Sequence, residues 1–226
     1  MDVRSRTAGS DKKPEPPRKR GPKVDVELTK RRKADILREA ARLFEQVGYH
    51  GVNMEMIAEA TGLKKPTLYH YIRSKDQILF EIQEIIIGTL LREMKARRQE
   101  KMDPEAILRG MFHDTFQLMY DYPGFVRVFF EFSRELQGDR KDEVRESRSA
   151  YLQALMDVVR EGMDQGLFAP ADVRVTAFCL LGTCNWSYHW YRPSKDLPPE
   201  ELADQCWAFA LSGLKGGSNQ KGENGA

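Results

Sequence analysis

Cysteine is scarce in this sequence, and the few cysteines form no recognisable framework. Among 226 residues there are three, without C-x-x-C spacing, and each falls in an apolar stretch: Cys179, Cys184 and Cys206. An odd, scattered set favours buried, reduced thiols in the cytoplasm over disulfide bonds or a zinc site. The sequence therefore predicts neither a metal nor a cofactor.

Signatures of catalysis and of membrane passage are missing as well. The sequence contains no G-x-S-x-G, H-E-x-x-H, P-loop or dinucleotide motif, and no two of its four histidines share a predicted helix at ligand spacing. No apolar run reaches the ~20 residues that a membrane-spanning helix needs. The N-terminal region also lacks the apolar core of a signal peptide. These absences argue against an enzyme and against a membrane protein.

The net charge of +2 conceals an uneven distribution. Residues 1–33 contain 12 Lys and Arg against 5 Asp and Glu, a net charge of +7, which leaves −5 for the rest of the chain. Residues 1–25 are also rich in Pro and Gly, a composition that cannot bury enough apolar area to fold and predicts a disordered basic arm. Such an arm suits DNA phosphates, although a solvated tail without a role explains the same composition.

Apolar residues recur with helical spacing along most of the chain, and no segment shows convincing strand character. Cap residues, Pro in first turns and Gly after last turns mark the helix ends. The predicted class is all-α, with about nine helices at 28–47, 54–60, 65–72, 75–98, 104–122, 125–136, 140–165, 173–192 and 199–213. The first three would form a small domain at 26–75 and the other six a larger domain at 76–214. A flexible tail is expected at 215–226.

Residues 53–75 have the pattern of two short helices joined by a tight turn. Asn53 is a residue type that caps helices, and Gly62 stands where the turn is expected to need a positive φ. The second helix would expose a face without acids: Lys65, Thr67, Tyr69 and His70. This arrangement predicts a helix-turn-helix whose second helix enters a DNA groove. A helical hairpin used only for packing is the alternative.

This stretch resembles the DNA-binding domain of the tetracycline-repressor (TetR) family of bacterial regulators. The matching residues lie within 30–80 and are Ala41, Phe44, Gly48, Tyr49, Ile57, Ala58, Thr61 to Leu63, Thr67 to Tyr71, Ser74 and Lys75. One departure is Lys64-Lys65-Pro66, which stands where many relatives have Ser-Lys-Gly or a similar triplet. Lys64 therefore replaces the hydroxyl that would cap the recognition helix.

The resemblance and the helix positions together predict the residues that contact double-stranded operator DNA. Lys65 and Thr67, at the start of the second helix, would meet base edges or nearby phosphates. Three further residues match phosphate-contacting positions of the family, and two lie at helix N-termini: Tyr69, His70 and Lys75, then Asn53 and Thr29. Lys64 completes the predicted DNA-binding set.

Aromatic and Met residues are dense in the larger predicted domain, which favours either ordinary core packing or the lining of a ligand pocket. The segment Asn185 to Pro193 resembles a subgroup of TetR regulators of fatty-acid, steroid-ring and other acyl-CoA catabolism, with His189 where several relatives have Arg. The resemblance implies a small-molecule effector that is an acyl-CoA or a related apolar acid. The predicted ligand-binding residues are His113, Phe116, Tyr120, Phe129, Asn185, Trp186 and His189.

The last two predicted helices are apolar on more faces than one subunit can bury, which predicts a homodimer. The interface residues expected on them are Trp190, Trp207 and Leu211. The sequence as a whole predicts a dimeric, ligand-responsive repressor that binds a palindromic operator. The alternatives are a helical enzyme or interaction module without specific DNA binding, and a multidrug-responsive regulator.

Overall fold

The computed structural model describes residues 26–193 and 195–216, and this part of the chain is all-α, which confirms the predicted class. Its nine α-helices are α1 (Val26–Gly51), α2 (Met54–Ala60), α3 (Lys65–Tyr71), α4 (Lys75–Gln99), α5 (Pro104–Asp121), α6 (Phe125–Glu131), α7 (Gly138–Asp164), α8 (Val173–Asn185) and α9 (Pro199–Leu214). Two short 3₁₀ turns occupy Ser133–Glu135 and Trp186–His189. The predicted arm at 1–25 and most of the predicted tail at 215–226 lie outside the described residues.

Several helix ends are set by the residues that the sequence indicated. Asn53, Ser74, Asp103 and Asp172 each accept a hydrogen bond from a backbone N–H in the first turn of α2, α4, α5 and α8. Such a cap typically stabilises a helix by ~0.5–2 kcal/mol. Gly48 interrupts α1 with φ 76° and ψ 158°, so the helix bends where the sequence predicted its end.

Helices α1, α2 and α3 form the small N-terminal domain around one compact core. Ile36 and Phe44 from α1, Ile57 from α2 and Leu68 from α3 are all fully buried. Burying a side chain of this size contributes roughly 1.5–3 kcal/mol. Leu68 therefore holds α3 against the other two helices and leaves the opposite face of α3 in solvent.

The larger domain is organised around the long helix α4, which also contacts α1. Helix α4 packs against α5, α6 and α7, α5 packs against α9, and α7 packs against α8. Phe112, Phe116 and Phe125 are the largest fully buried side chains between these helices. Among the helices described here, none is both long and apolar enough to cross a membrane.

Helix α8 is shorter than the sequence predicted, because it ends at Asn185 and does not continue to residue 192. The 3₁₀ turn Trp186–His189 follows, and the chain then continues as irregular structure. A straight helix would point the aromatic side chains of this segment in every direction. The break instead packs Tyr191 against Phe116 and leaves Trp186 66% exposed.

Two smaller differences concern α6 and the cysteines. Helix α6 ends at Glu131 instead of residue 136, and the separate 3₁₀ turn follows it. Cys184 is buried as expected, but Cys179 is exposed and Cys206 is half-buried. The α8 surface that carries Cys179 is therefore not covered by the subunit itself.

Candidate functional site

Helix α3 presents a polar face to solvent in the small domain. The predicted DNA contacts on or beside it are all exposed: Lys64, Lys65, Thr67, Tyr69 and His70. Lys64 precedes the helix without a side-chain capping bond, and Pro66 occupies the first turn, where its missing N–H has no helical partner. Because the first turn carries no acid, this face is electrostatically suited to a groove lined with phosphates.

The other three predicted DNA-binding residues are either hydrogen-bonded within the protein or partly buried. Asn53 Oδ1 accepts hydrogen bonds of 3.0 and 2.9 Å from two backbone N–H groups of α2. Thr29 is half-buried near the start of α1. Lys75 Nζ donates to the Tyr49 carbonyl at 2.8 Å and lies 4.6 Å from the centre of the Tyr49 ring. Burial lowers the pKa of the Lys75 ammonium. A phosphate contact by Lys75 thus competes with its bond to the end of α1.

Helix α6 and the turn after it connect the larger domain to α1. Arg127 Nε lies 3.2 Å from a carboxylate oxygen of Glu45. The Phe132 ring packs against Phe44 and Tyr49, with ring centres 6.4 and 6.3 Å apart. Two polar contacts also cross the domain junction, Lys33 with Glu81 and His50 with Glu135. A displacement of α6 would therefore reach the DNA-binding domain directly.

A mostly apolar cavity of about 270 Å³ lies between α4, α5, α6, α7 and α8, and we call it the central cavity. It is lined by Ile86, Ile87, Leu90, Thr115, Leu118, Val126, Phe129, Phe130, Arg148, Tyr151, Leu152, Phe178, Leu181 and Asn185. Arg148 is the only charged side chain in this described lining. Such a cavity suits an apolar group that carries one acceptor or negative charge.

Arg148 is half-buried and has no acidic partner among the described residues. Its Nη2 donates to Gln83 Oε1 at 2.8 Å and to the Phe129 carbonyl at 2.7 Å, and the guanidinium lies 4.1 Å from the centre of the Phe129 ring. Its buried Nε has no hydrogen-bond partner in the part of the chain that the structure describes. Burial lowers the pKa of this guanidinium below its ordinary value. An acceptor that entered the cavity could satisfy both the charge and the unpaired N–H.

Two of the seven predicted ligand-binding residues, Phe129 and Asn185, line the central cavity. Phe116 is buried in the core, and His113 Nε2 lies 2.8 Å from Asp204 Oδ1 of α9. Three others are on the surface: Tyr120, Trp186 and His189. Helical spacing identifies residues that face a core, but it does not reveal which of them border a void. The end of α8 at Asn185 also turns the aromatic segment away from the cavity.

The predicted ligand set omits Arg148 and Gln83, although the sequence contained a signal for both. Arg148 follows Val144 by four residues and precedes Tyr151 by three, so it belongs to the inward stripe of α7. Gln83 lies four residues after Leu79 on the buried face of α4. Because buried polar groups require partners, a polar residue on an apolar stripe marks a candidate site.

A second cavity, of about 210 Å³, lies at the domain junction, and we call it the junction cavity. It is lined by Glu45, Met119, Tyr122, Pro123, Gly124, Val126, Arg127, Tyr188, Tyr191, Arg192 and Pro193. Val126 lines both cavities. Tyr188 also stacks on Phe130 of the central cavity, with ring centres 5.2 Å apart. The two cavities are therefore neighbours separated by α6.

Helices α8 and α9 leave large apolar side chains exposed, namely Val175, Phe178 and Phe209. Of the predicted interface residues, Trp190 is exposed and Leu211 is half-buried. Trp207 is only 5% exposed and packs against Phe112 of its own subunit, with ring centres 5.6 Å apart. Trp207 is thus a core residue, and Phe209, 76% exposed, is the α9 aromatic that faces outward.

Comparison with known proteins gives two family matches that together span both domains. Residues 36–82 match bacterial regulatory proteins of the tetR family, and residues 101–214 match the tetracyclin repressor-like C-terminal domain. The chain is also 24% identical over 185 residues to the HTH-type transcriptional repressor KstR2 of Mycobacterium tuberculosis (strain ATCC 25618 / H37Rv). This similarity covers 81% of the chain and 92% of KstR2.

Two solved structures extend the similarity to most of the described fold. PfmR, a TetR family transcriptional regulator from Thermus thermophilus, is 29% identical, with a TM-score of 0.72, over 79% of this chain and 98% of its own. AibR, solved in complex with isovaleryl coenzyme A and operator DNA, is 30% identical, with a TM-score of 0.68, over 79% and 97% of the two chains. With its helix-turn-helix and its helical C-terminal domain both matched, the chain belongs to the TetR family of bacterial transcriptional regulators.

Proposed function

We propose that this chain is a dimeric repressor that leaves its palindromic operator when an acyl thioester or a related apolar acid binds in the central cavity. The observation that carries the proposal is the Arg148 guanidinium, which has no acidic partner among the described residues and one buried, unpaired N–H. A cation sheltered from water without a counter-charge is costly, and a ligand oxygen is the group that would offset this cost.

The chemistry of the cavity selects the class of ligand. An acyl carbonyl or carboxylate oxygen would accept a hydrogen bond from Arg148 Nε, while the apolar walls would enclose the acyl group. Its volume of about 270 Å³ is close to the lower end of the range of ~300–1,000 Å³ for ligand pockets, so it suits the acyl part of a larger molecule. The complex of AibR with isovaleryl coenzyme A supports this ligand class.

Helix α6 is the element through which the ligand would act on DNA binding. Val126, Phe129 and Phe130 line the cavity, while Arg127 of the same helix pairs with Glu45 of α1. Arg148 and Gln83 both donate to the Phe129 carbonyl, at 2.7 and 3.1 Å. A ligand that engages Arg148 would alter this anchor and favour a different position of α6.

The operator would be bound by both subunits of the dimer. Two α3 helices must lie about one turn of DNA apart, ~34–36 Å, to enter successive major grooves. A shift of α6 relative to α1 would change that spacing and lower operator affinity. Because its target is chromosomal DNA, the proposed site of action is the cytoplasm.

A multidrug sensor that responds to planar cations is the second candidate. Arg148 disfavours it, since a cationic ligand would meet a positive charge with no acidic side chain in the described lining to offset it. A catalytic role receives no support from the same cavity, because it gathers no set of acid, base and nucleophile.

A thermal-shift screen tests the ligand class directly. Isovaleryl-, octanoyl- and palmitoyl-CoA, the corresponding free acids, and ethidium as a planar cation would be compared with the purified dimer. At a hundred times its Kd, a ligand adds about 2.7 kcal/mol, which for a protein of this size raises Tm by roughly 5–10 °C. We expect this rise for at least one acyl compound and not for ethidium. Stabilisation by ethidium alone would overturn the proposal in favour of a multidrug sensor.

A further inference from the structure

We infer that a phosphate group of the effector binds in the junction cavity, where it displaces Glu45 from Arg127 and so loosens the DNA-binding domain. The inference rests on the proposed acyl thioester effector and assigns a place to the phosphate-bearing part of that molecule. It adds a recognition site and a direct route from ligand to α1.

The position of the junction cavity makes it the natural place for the remainder of the ligand. The central cavity, at about 270 Å³, suits the acyl part, and the junction cavity adds about 210 Å³ on the other side of Val126. Tyr188 and Phe130 stack across the boundary between them. A molecule that reaches from one cavity into the other would pass Val126 and displace this stacked pair.

The charges differ between the two cavities in the way that such a molecule requires. Arg127 and Arg192 line the junction cavity together with a single acid, Glu45. The Arg192 guanidinium donates to the carbonyls of Tyr191 and His189, at 2.9 and 3.2 Å, which fixes one positive charge at the cavity wall. Guanidinium groups bind phosphate by paired, charge-assisted hydrogen bonds, so Arg127 is the candidate contact.

A phosphate at Arg127 competes with Glu45 for the same guanidinium. Glu45 belongs to α1, and its carboxylate lies 3.2 Å from Arg127 Nε, so this pair links the DNA-binding domain to α6. Two anions repel each other when they share one cation at short range, and the Glu45 side chain is 40% exposed and free to turn into water. Phosphate binding and the link to α1 therefore oppose each other, and the coupling must act in both directions.

Two ligands and two variants test this competition. Octanoyl-CoA and octanoyl-pantetheine share the acyl thioester, but only the former carries phosphates; their Kd values would be measured by calorimetry and operator release by fluorescence anisotropy. For the wild-type protein we expect octanoyl-CoA to bind about tenfold tighter or more, as for charge-assisted phosphate contacts, and to release DNA more completely. Arg127→Gln should bring the two Kd values to within about twofold of each other.

Glu45→Gln separates competition from simple support of the fold. The variant removes the carboxylate that competes with the phosphate for Arg127 and keeps Arg127 itself. Octanoyl-CoA should therefore bind up to about fivefold tighter, while octanoyl-pantetheine binds as before. Arg134→Gln, an exposed arginine outside the cavity lining, is the matched control and should change neither Kd.

Three results would contradict the inference in distinguishable ways. Equal affinity of the wild-type protein for the two ligands would show that the phosphates are not recognised. Equal weakening of octanoyl-CoA binding in Glu45→Gln and Arg127→Gln would show that the ion pair only supports the fold. If neither these two ligands nor any other acyl compound of the thermal-shift screen binds the wild-type protein, the proposed function itself is overturned, and this inference with it.

Discussion

Arg148 of α7 donates a hydrogen bond to the backbone carbonyl of Phe129 in α6, and its guanidinium lies against the Phe129 ring. The same arginine has an unpaired Nε–H and borders the central cavity. One side chain thus both anchors the helix that contacts α1 and offers a donor to a ligand. A ligand oxygen at Arg148 would act on the anchor of α6 without any intervening element.

Replacing Arg148 by Met tests this role while preserving most of the apolar length of the side chain. A hydrogen bond to a charged group contributes about 1.5–3 kcal/mol, so acyl-CoA affinity measured by calorimetry should fall roughly 10- to 100-fold. Arg145→Met is the control, since Arg145 lies one turn earlier on α7 and its side chain is 69% exposed. An unchanged Kd in Arg148→Met would remove this residue from the ligand site.

Different residues of the recognition helix α3 should govern overall DNA affinity and sequence preference. If Lys65 meets a phosphate in each subunit, Lys65→Ala should weaken binding to all DNA and flatten the slope of log K against log salt by about 1.8 for the dimer. Thr67→Ala should instead change the preference among operator variants, by ~0.5–1.5 kcal/mol at the base it contacts, as for a single neutral hydrogen bond. Gel-shift titrations at several salt concentrations distinguish the two. A salt-independent interaction would contradict the assigned groove contact.

The exposed apolar face of α8 and α9 should carry the dimer. Phe209→Glu places a charge on that face without disturbing the core, and light scattering should show the 26.1 kDa monomer. Cys179 lines the same surface groove as Phe209, so a thiol reagent should label it faster in this variant than in the dimer. Burial raises the pKa of the Cys184 thiol well above its usual value, which keeps it unreactive at about pH 8.

Met102→Glu is the control for the dimer experiment, because Met102 is exposed in the turn between α4 and α5. This variant should remain dimeric and keep Cys179 protected. A dimeric Phe209→Glu protein with unchanged Cys179 labelling would place the interface elsewhere.

Gly110 in α5 leaves the space that the Arg97 side chain of α4 needs for its ion pair with Asp114 of α5. Arg97 binds Asp114 through two hydrogen bonds of 2.6 and 2.7 Å, and a Cβ at position 110 would overlap Arg97 Nε. Gly110→Ala should therefore destabilise the fold by roughly 1–3 kcal/mol, because either the pair or the helix must move.

Gly88→Ala in α4, where no atom lies within 4 Å of the added Cβ, should stabilise by about 0.4–1 kcal/mol. Urea unfolding measures both, and equal effects would contradict this explanation.

Much of the fold could be predicted because its determinants are local. Asn53 caps α2, and Gly62 has φ 65° in the turn before α3, as their residue types indicated. On α3, Leu68 is buried and the polar face opposite to it is exposed. This follows from the helical period, which places a single apolar residue of this short helix toward the core. Local caps and periodicity therefore sufficed for the DNA-binding domain.

The proposed ligand site could not be predicted in the same way because it depends on contacts between distant residues. The central cavity forms where α4, α5, α6, α7 and α8 meet, and the hydrogen bond from Arg148 to the Phe129 carbonyl joins residues on two different helices. The end of α8 at Asn185 is likewise accompanied by a contact between distant residues, because Tyr191 packs against Phe116 of α5. Aromatic spacing marked the core of this domain but did not distinguish packed side chains from those that border a void.

Operator release by an acyl-CoA is the measurement that tests the central claim most directly. The operator would be selected from random duplex DNA with the wild-type dimer, labelled with a fluorophore, and followed by anisotropy during titration with octanoyl-CoA and, separately, with ethidium. Our account predicts that octanoyl-CoA returns the anisotropy to that of free DNA, and that Arg148→Met, in which Gln83 can still donate to the Phe129 carbonyl, needs roughly 10- to 100-fold more ligand for release. A complex that persists at saturating acyl-CoA, or an Arg148→Met protein released as readily as the wild type, would contradict it.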